Sequence, residues 1–177
     1  MRLFVAVWPP ADVIETVRGL ERADAAGVRW TREDQWHVTL RFLGSVEEEV
    51  VPEITAALDA IAGAGASSPV VMGPETKCFG REILQVPVEG LTDLAARVVE
   101  ATASFGEPPD ERPFRGHLTL ARSGNRRRGN RGSDLRSLAG AACAGAWTVD
   151  ELTLVCSRPH REGVRYDVLH RTRLRAL

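Results

Sequence analysis

His37-Val38-Thr39-Leu40-Arg41-Phe42-Leu43-Gly44 alternates polar and apolar side chains over its first four residues and stops at a glycine. In an extended chain successive side chains point to opposite faces, so His37 and Thr39 share one face while Val38 and Leu40 share the other. The pattern returns in Phe114-Arg115-Gly116-His117-Leu118-Thr119-Leu120-Ala121-Arg122. Each copy predicts a half-buried strand with an imidazole and a hydroxyl on its open side. Such a pair suits one oxygen of a phosphate. Two pairs converging would grip the group from both sides, one imidazole giving a proton while the other takes one.

The two histidines are 80 positions apart, and the segments upstream keep that offset: Leu3-Phe4-Val5-Ala6-Val7 answers to Ile83-Leu84-Gln85-Val86-Pro87. A helical stripe follows each, with Val13, Ile14, Val17 and Leu20 in residues 11–20 and Leu91, Leu94, Ala95, Val98 and Val99 in residues 91–102. The unit strand, helix, loop, His-x-Thr strand therefore occurs twice, over residues 3–44 and 83–124. That period is too long for a solenoid, and two copies predict an internal duplication with two lobes about a pseudo-twofold axis. A third match, His170-Arg171-Thr172-Arg173, carries arginines where the others carry Val and Leu, and reads as a separate, half-exposed strand.

At 177 residues the chain has the length of one domain made of two closely packed lobes, and no linker divides it. Cys78, Cys143 and Cys156 are odd in number and lack metal spacing, which predicts reduced thiols in a cytoplasm. The apolar runs fall short of the ~20 residues of a membrane span, and the start reads as a first strand rather than a signal peptide. A net charge of -1 means that any hold on nucleic acid must be local. The patch at 125–132, with Arg126, Arg127 and Arg128, is the evident place for RNA contacts, although the chain has 22 Arg and one Lys throughout. Glu47 to Glu49 and Asp110-Glu111 read as a helix start and a loop, so no metal and no cofactor is expected. A site using His37 and His117 as metal ligands would want a carboxylate or Cys partner that neither motif supplies.

Between the motifs, residues 31–35 read as a turn and Ser45 as the N-cap of a helix running to about 62, with Glu47 to Glu49 in its first turn and Pro52 near its start. Residues 70–73 predict a strand, 78–88 a hairpin turning at Gly80, 107–113 a loop and 134–139 a short helix. Strands follow at 147–149, 152–156 and 166–174.

The chain resembles the two-histidine phosphoesterases, and within them the bacterial and archaeal RNA 2′,3′-cyclic phosphodiesterases once named 2′-5′ RNA ligases. The resemblance runs nearly end to end. It rests on Arg2-Leu3-Phe4-Val5-Ala6-Val7, on the two extended His-x-Thr segments, and on Ser157, Gly163 and Tyr166-Asp167-Val168-Leu169. Gly116, where the family often has proline, and the arginine-rich loop are its departures.

The resemblance implies a bilobal α+β fold, with two antiparallel sheets facing a central cleft and helices outside. It also implies metal-independent hydrolysis of RNA 2′,3′-cyclic phosphate ends to 2′-phosphomonoesters, with tRNA fragments among the candidate substrates. In that scheme His37 is the proton donor to the departing 3′ oxygen, His117 the proton acceptor from water, and Thr39 and Thr119 bind the phosphate. Run backwards, the same groups would join a 2′-phosphate end to a 5′-hydroxyl.

Elementary chemistry asks for the same set: in-line attack, a proton for a poor leaving group, and donors for the equatorial oxygens. Arg122 is a further phosphate candidate, although a regular strand would put it on the Leu118 and Leu120 face. Phe42 and Tyr166 are candidates for base stacking, as are Trp36 and Phe114. A cytoplasmic monomer without membrane contact is expected. The alternatives are a relative acting on cyclic nucleotides or an ADP-ribose cyclic phosphate, and a non-catalytic module that holds RNA ends.

Overall fold

A computed structural model describes residues 1–22, 27–63, 67–124, 134–161 and 163–175. The proposed RNA contacts Arg126, Arg127 and Arg128 lie outside these. The alternating segments become strands β1 (Arg2–Val7), β2 (Val28–Trp30), β3 (Val38–Ser45), β4 (Ser68–Met72), β5 (Lys77–Phe79), β6 (Ile83–Glu89), β7 (His117–Ser123), β8 (Gly145–Val149), β9 (Glu151–His160) and β10 (Gly163–Arg173). The 3.6-residue stripes become α1 (Ala11–Arg18), α2 (Val51–Gly63) and α3 (Thr92–Ala101).

Two wholly antiparallel sheets result. The first has the order β10-β9-β1-β3; the second runs β2-β7-β6-β4-β8, with β5 also pairing with β6. The repeats exchange parts across these sheets. α1 leaves β1 in the first sheet and packs on β8 of the second, whereas α3 leaves β6 in the second and packs on β3 of the first, beside α2. β2 likewise belongs to the first repeat but pairs with β7 of the second. Each lobe is thus completed by chain from the other repeat.

One core spans both sheets. It collects the outward residues Val5, Val7, Val38 and Leu40 of the first sheet, and Leu84, Val86, Leu118 and Leu120 of the second, with Val13 and Val17 of α1, Ile54 and Leu58 of α2 and Leu94 and Val98 of α3. Polar and aromatic side chains on the opposite faces are left to form the cleft.

Ser45 does not cap a helix. Gly44, at φ 68°, lets β3 continue against β1, and Ser45 pairs with Arg2 as the last residue of the strand. A 3-10 turn, Glu48–Val50, intervenes before α2 begins, with Pro52 in its first turn, where a missing N–H costs nothing. The 134–139 segment is also a 3-10 turn, Leu135–Leu138, whose Asp134 side chain accepts from the Arg136 amide. All three cysteines are free thiols.

The two units pair in the same way, but their offset shifts. Pairing puts Val5 opposite Arg41 and Ala6 opposite Thr39 in the first unit, and Leu84 opposite Ala121 and Gln85 opposite Thr119 in the second. β1 and β6 are therefore equivalent at an offset of 79, not 80, so that Ala6 answers to Gln85. A one-residue slip exchanges the two faces of a strand, which is why the register decides which side chains reach the cleft.

Candidate active site

Each motif histidine is fixed by the same local bond. His37 Nδ1 donates to the Gln35 carbonyl at 2.7 Å, and His117 Nδ1 donates to the Arg115 carbonyl at 2.9 Å. A carbonyl oxygen only accepts, so Nδ1 carries the hydrogen in both rings and Nε2 is left to take or give a proton. The carbonyl in each case lies two residues back, where the chain enters the strand. At Gly116 that entry runs against the Val88 carbonyl, in the space a Cβ would fill.

β3 and β7 approach within 8 Å between Cα atoms, and the charges of His117 and Arg122 are felt at His37. The structure thus brings the two His-x-Thr arms near one another, with the space between their open faces as the candidate cleft. Thr39 and Thr119 are half-buried beside their histidines on the open faces. Among the described residues no protein group takes either hydroxyl.

Arg122 joins them, against the expectation from a regular strand. Leu120 is the extra residue of a β-bulge opposite the Leu84/Gln85 step, so the alternation restarts and Arg122 pairs with Ile83 on the His117 face. The first repeat has the same bulge at Leu40, which turns Phe42 to the open face opposite Phe4. Phe42 and Arg122 are therefore equivalent positions. Phe42 is 39% exposed, with the Arg2 guanidinium 5.0 Å from its ring centroid.

The two halves differ in their surroundings. The His37 ring lies among Phe4, Trp8 and Tyr166, at centroid distances of 4.9, 5.3 and 5.1 Å. Burial there pushes its imidazole down from 6.5 to about 4; the His117 and Arg122 charges act in the same direction, and the Gln35 carbonyl opposes them. Across the cleft the corresponding strands present Ile83, Gln85, Pro87 and Arg122 instead. One half is aromatic and the other polar and cationic.

Neutral burial of His37 makes stability depend on pH. With a folded pKa of about 4 below an unfolded 6.5, the unfolded chain binds the extra proton between those values. This contribution is complete above about pH 6.5 and is lost as pH falls towards 4, by up to about 3 kcal/mol. Denaturant titrations of wild type and His37→Gln across that window should show a shallower pH slope in the variant; an equal slope would mean that His37 is charged in the folded state.

Tyr166 stands beside His37 with its hydroxyl pushed up by burial, and Arg122 is near enough to oppose that shift. Trp36 is a core residue, 2% exposed, whose indole donates to Thr31 Oγ1 at 3.0 Å, and Phe114 packs against the same core. The third His-x-Thr copy faces elsewhere: His170 Nε2 and the Thr172 hydroxyl bond Asp59 Oδ1 of α2 at 2.8 and 2.7 Å. Among the described residues no three His, Cys, Asp or Glu side chains gather in metal-ligating geometry.

Sequence reasoning passed over four residues. Phe4 and Trp8 were legible, since they alternate with the core residues Leu3, Val5 and Val7. Gln85 was lost to the one-residue offset. Arg41 is 4% exposed and runs from β3 to the end of α3, donating to Val99 O, Thr102 Oγ1, Phe105 O and Glu107 O at 2.6–3.2 Å. Nothing in its flanking residues marks it as buried.

The profile of the family described as "LigT like Phosphoesterase" matches residues 7–71 and 84–166, which include both motifs. The chain belongs to this family. The LigT-like fold is seen in solved structures at 26% identity. A Thermus thermophilus protein, TT0787, superposes with a TM-score of 0.77 over 99% of both chains. Escherichia coli LigT complexed with 3′-AMP superposes with a TM-score of 0.73, over 98% of this chain and 97% of LigT. A curated relative, the RNA 2′,3′-cyclic phosphodiesterase of Geobacillus stearothermophilus, is 29% identical over 131 residues, covering 71% of this chain. The matched region spans only 41% of that relative's length. No described helix of this LigT-like chain is long and apolar enough to cross a membrane.

Proposed function

We propose that this LigT-like phosphoesterase hydrolyses RNA 2′,3′-cyclic phosphate ends to 2′-phosphomonoesters, without a metal, by acid-base catalysis between His37 and His117. The observation that carries the reading is the pairing of two Nδ1-anchored imidazoles, each beside an unclaimed threonine hydroxyl, across one cleft. The Geobacillus relative's name agrees with it. Thr39, Thr119 and Arg122 supply donors for the non-bridging oxygens, where charge is carried in the transition state.

The lopsided surroundings support the order of the two histidines. A nucleoside is the apolar part of the substrate and suits the side of Phe4, Trp8, Tyr166 and Phe42, which puts its 3′ oxygen beside His37. Water and the free phosphate edge then fall to His117 and Arg122. His37 is neutral in the empty site at pH 7, so the cyclic phosphate must raise its affinity for a proton. An anion held beside the ring acts in that direction.

A site that works with one imidazole protonated and one neutral gives a bell-shaped profile of kcat/KM, whose acidic limb reports the lower of the two free-enzyme values. That limb is expected near pH 4. Tyr166→Ala, by admitting water to His37, should move it upwards towards 6.5; an unmoved limb would show that the ring does not set the titration. The reading itself is tested by incubating the protein, with chelator present, with a short RNA ending in a 2′,3′-cyclic phosphate beside free cyclic nucleotides. A 2′-phosphate product on the RNA is expected. A 3′-phosphate product, or preference for the free nucleotides, would overturn it. The reverse joining of a 2′-phosphate end to a 5′-hydroxyl would use the same groups.

A further inference from the structure

From Thr119 the open face of the second sheet continues outwards over two more strands. Register sets Gln85 beside Thr119 and Lys77 beside Gln85. One step along the ladder, Arg29, Arg122, Ile83 and Phe79 form a row on the same face, from β2 through β7 and β6 to β5. The alternate residues Leu84 and Ala121 are buried in the core, and Cys78 packs against it.

This shelf has a composition with no folding purpose. Phe79 is 53% exposed on the edge strand. Lys77, the sole lysine of the chain, is exposed, as are Arg29 and Arg122. Among the described residues none of these three cations has an acidic partner, whereas several exposed arginines elsewhere, among them Arg18, Arg112, Arg136 and Arg171, sit on carboxylates. The acids near the shelf are Glu75, two residues before Lys77, Glu82, in the turn before β6, Glu89, at the far end of that strand, and Asp134, which acts on Cys78 and is held by Arg136. None of them is on the ladder rows that join Lys77 to Arg29.

Unpaired cations around an exposed aromatic ring fit a flexible polyanion that also has flat apolar faces, which is the chemistry of a single-stranded nucleic acid. Phe79 lies two strand spacings, ~10 Å, from Arg122, a separation that suits the base of a neighbouring nucleotide. We propose that the open face of β2, β7, β6 and β5 is the track for the RNA strand leading into the terminal phosphate, with Lys77 and Arg29 on backbone phosphates and Phe79 stacked on a base. This rests on the reading of the cleft as an RNA-end site, and makes oligonucleotides the favoured substrates over mononucleotides.

The track is tested first by binding, which does not require turnover. A fluorescent single-stranded RNA ending in a 2′-phosphate is titrated with wild type, the double variant Arg29→Ala/Lys77→Ala, and Phe79→Ala across a salt series. Loss of two phosphate contacts should flatten the log-log salt slope by about 1.4. Phe79→Ala should weaken binding on the order of tenfold with the slope kept, because stacking is uncharged. Both should lower the ratio of kcat/KM for a cyclic-ended oligonucleotide to that for a cyclic mononucleotide. Unchanged affinity, slope and ratio, or failure of wild type to bind the strand, would sink the track. If wild type hydrolyses neither cyclic substrate while the binding losses appear as stated, the hydrolase reading falls and the track stands.

Discussion

His37→Ala and His117→Ala are each expected to lower kcat on a cyclic-phosphate-ended RNA by roughly 10²–10⁴-fold, the range that a positioned proton donor or acceptor typically supplies. Each ring is half-buried and bonded to one local carbonyl, so its loss leaves the strand ladders intact. Circular dichroism should therefore stay close to wild type for both, and so should the denaturation midpoint of His117→Ala at pH 7, whereas His37→Ala also gives up packing against Phe4, Trp8 and Tyr166 and should lower it modestly. The double variant is expected to fall well short of the product of the two losses, because both groups serve one displacement and removing either already disables it. Thr39→Val and Thr119→Val keep the strand-favouring shape and remove one donor each, so their losses should be smaller than those of the histidines. Near-normal turnover by either histidine variant would end the acid-base assignment.

The largest stability effect is expected away from the chemistry, at Arg41. Its guanidinium is the shared donor for four acceptors at and beyond the C-terminal end of α3, where unpaired carbonyls and the helix dipole both favour a cation. Burial shifts the group towards neutrality, but the acceptors around it keep the charge useful. Arg41→Ala leaves those acceptors without their donor inside the fold and should cost on the order of 3 kcal/mol or more, a large share of the roughly 5–15 kcal/mol of a typical domain. Arg41→Lys keeps the charge but not the planar fork, and should recover only part of the loss. A fall in the denaturant midpoint checks this; a change under about 0.5 kcal/mol, the usual size for a surface position, would show that α3 is anchored without Arg41.

Arg41 also shows why parts of the site were illegible. In the sequence it is the next residue after a His-x-Thr-Leu tetrad, and its charge reads as exposure. The β-bulge at Leu40 turns it inward, and α3, from the other repeat, supplies acceptors more than 50 positions away. The bulge at Leu120 does the reverse for Arg122, turning it out to the cleft. Bulges are set by how two ladders match, and that match is a property of the partner strand as much as of the bulged one. The 79-residue offset of β1 and β6 was hidden for the same reason, and Gln85 with it.

The helix at Ser45 failed for a simpler cause. Local capping preference was outweighed by the pairing of Ser45 with Arg2, a contact that exists only once β1 and β3 have met. By contrast, the strand character of both motifs, the buried faces of α1 and α3, the hairpin at Gly80 and the opposite faces of His37 and Val38 were readable from local order. Side-chain period is a consequence of backbone geometry and needs no partner.

What the chain's own order determined was the inventory: two equivalent arms, each with an imidazole and a hydroxyl on its open side, and a family pattern that spans both. What only the tertiary structure decided was the company those groups keep. The exchange of α1, β2 and α3 between the lobes, the matched bulges, and the packing of His37 among three rings all arise from contacts between segments distant in sequence. Their free energies depend on register and burial, and neither quantity exists until the sheets have formed.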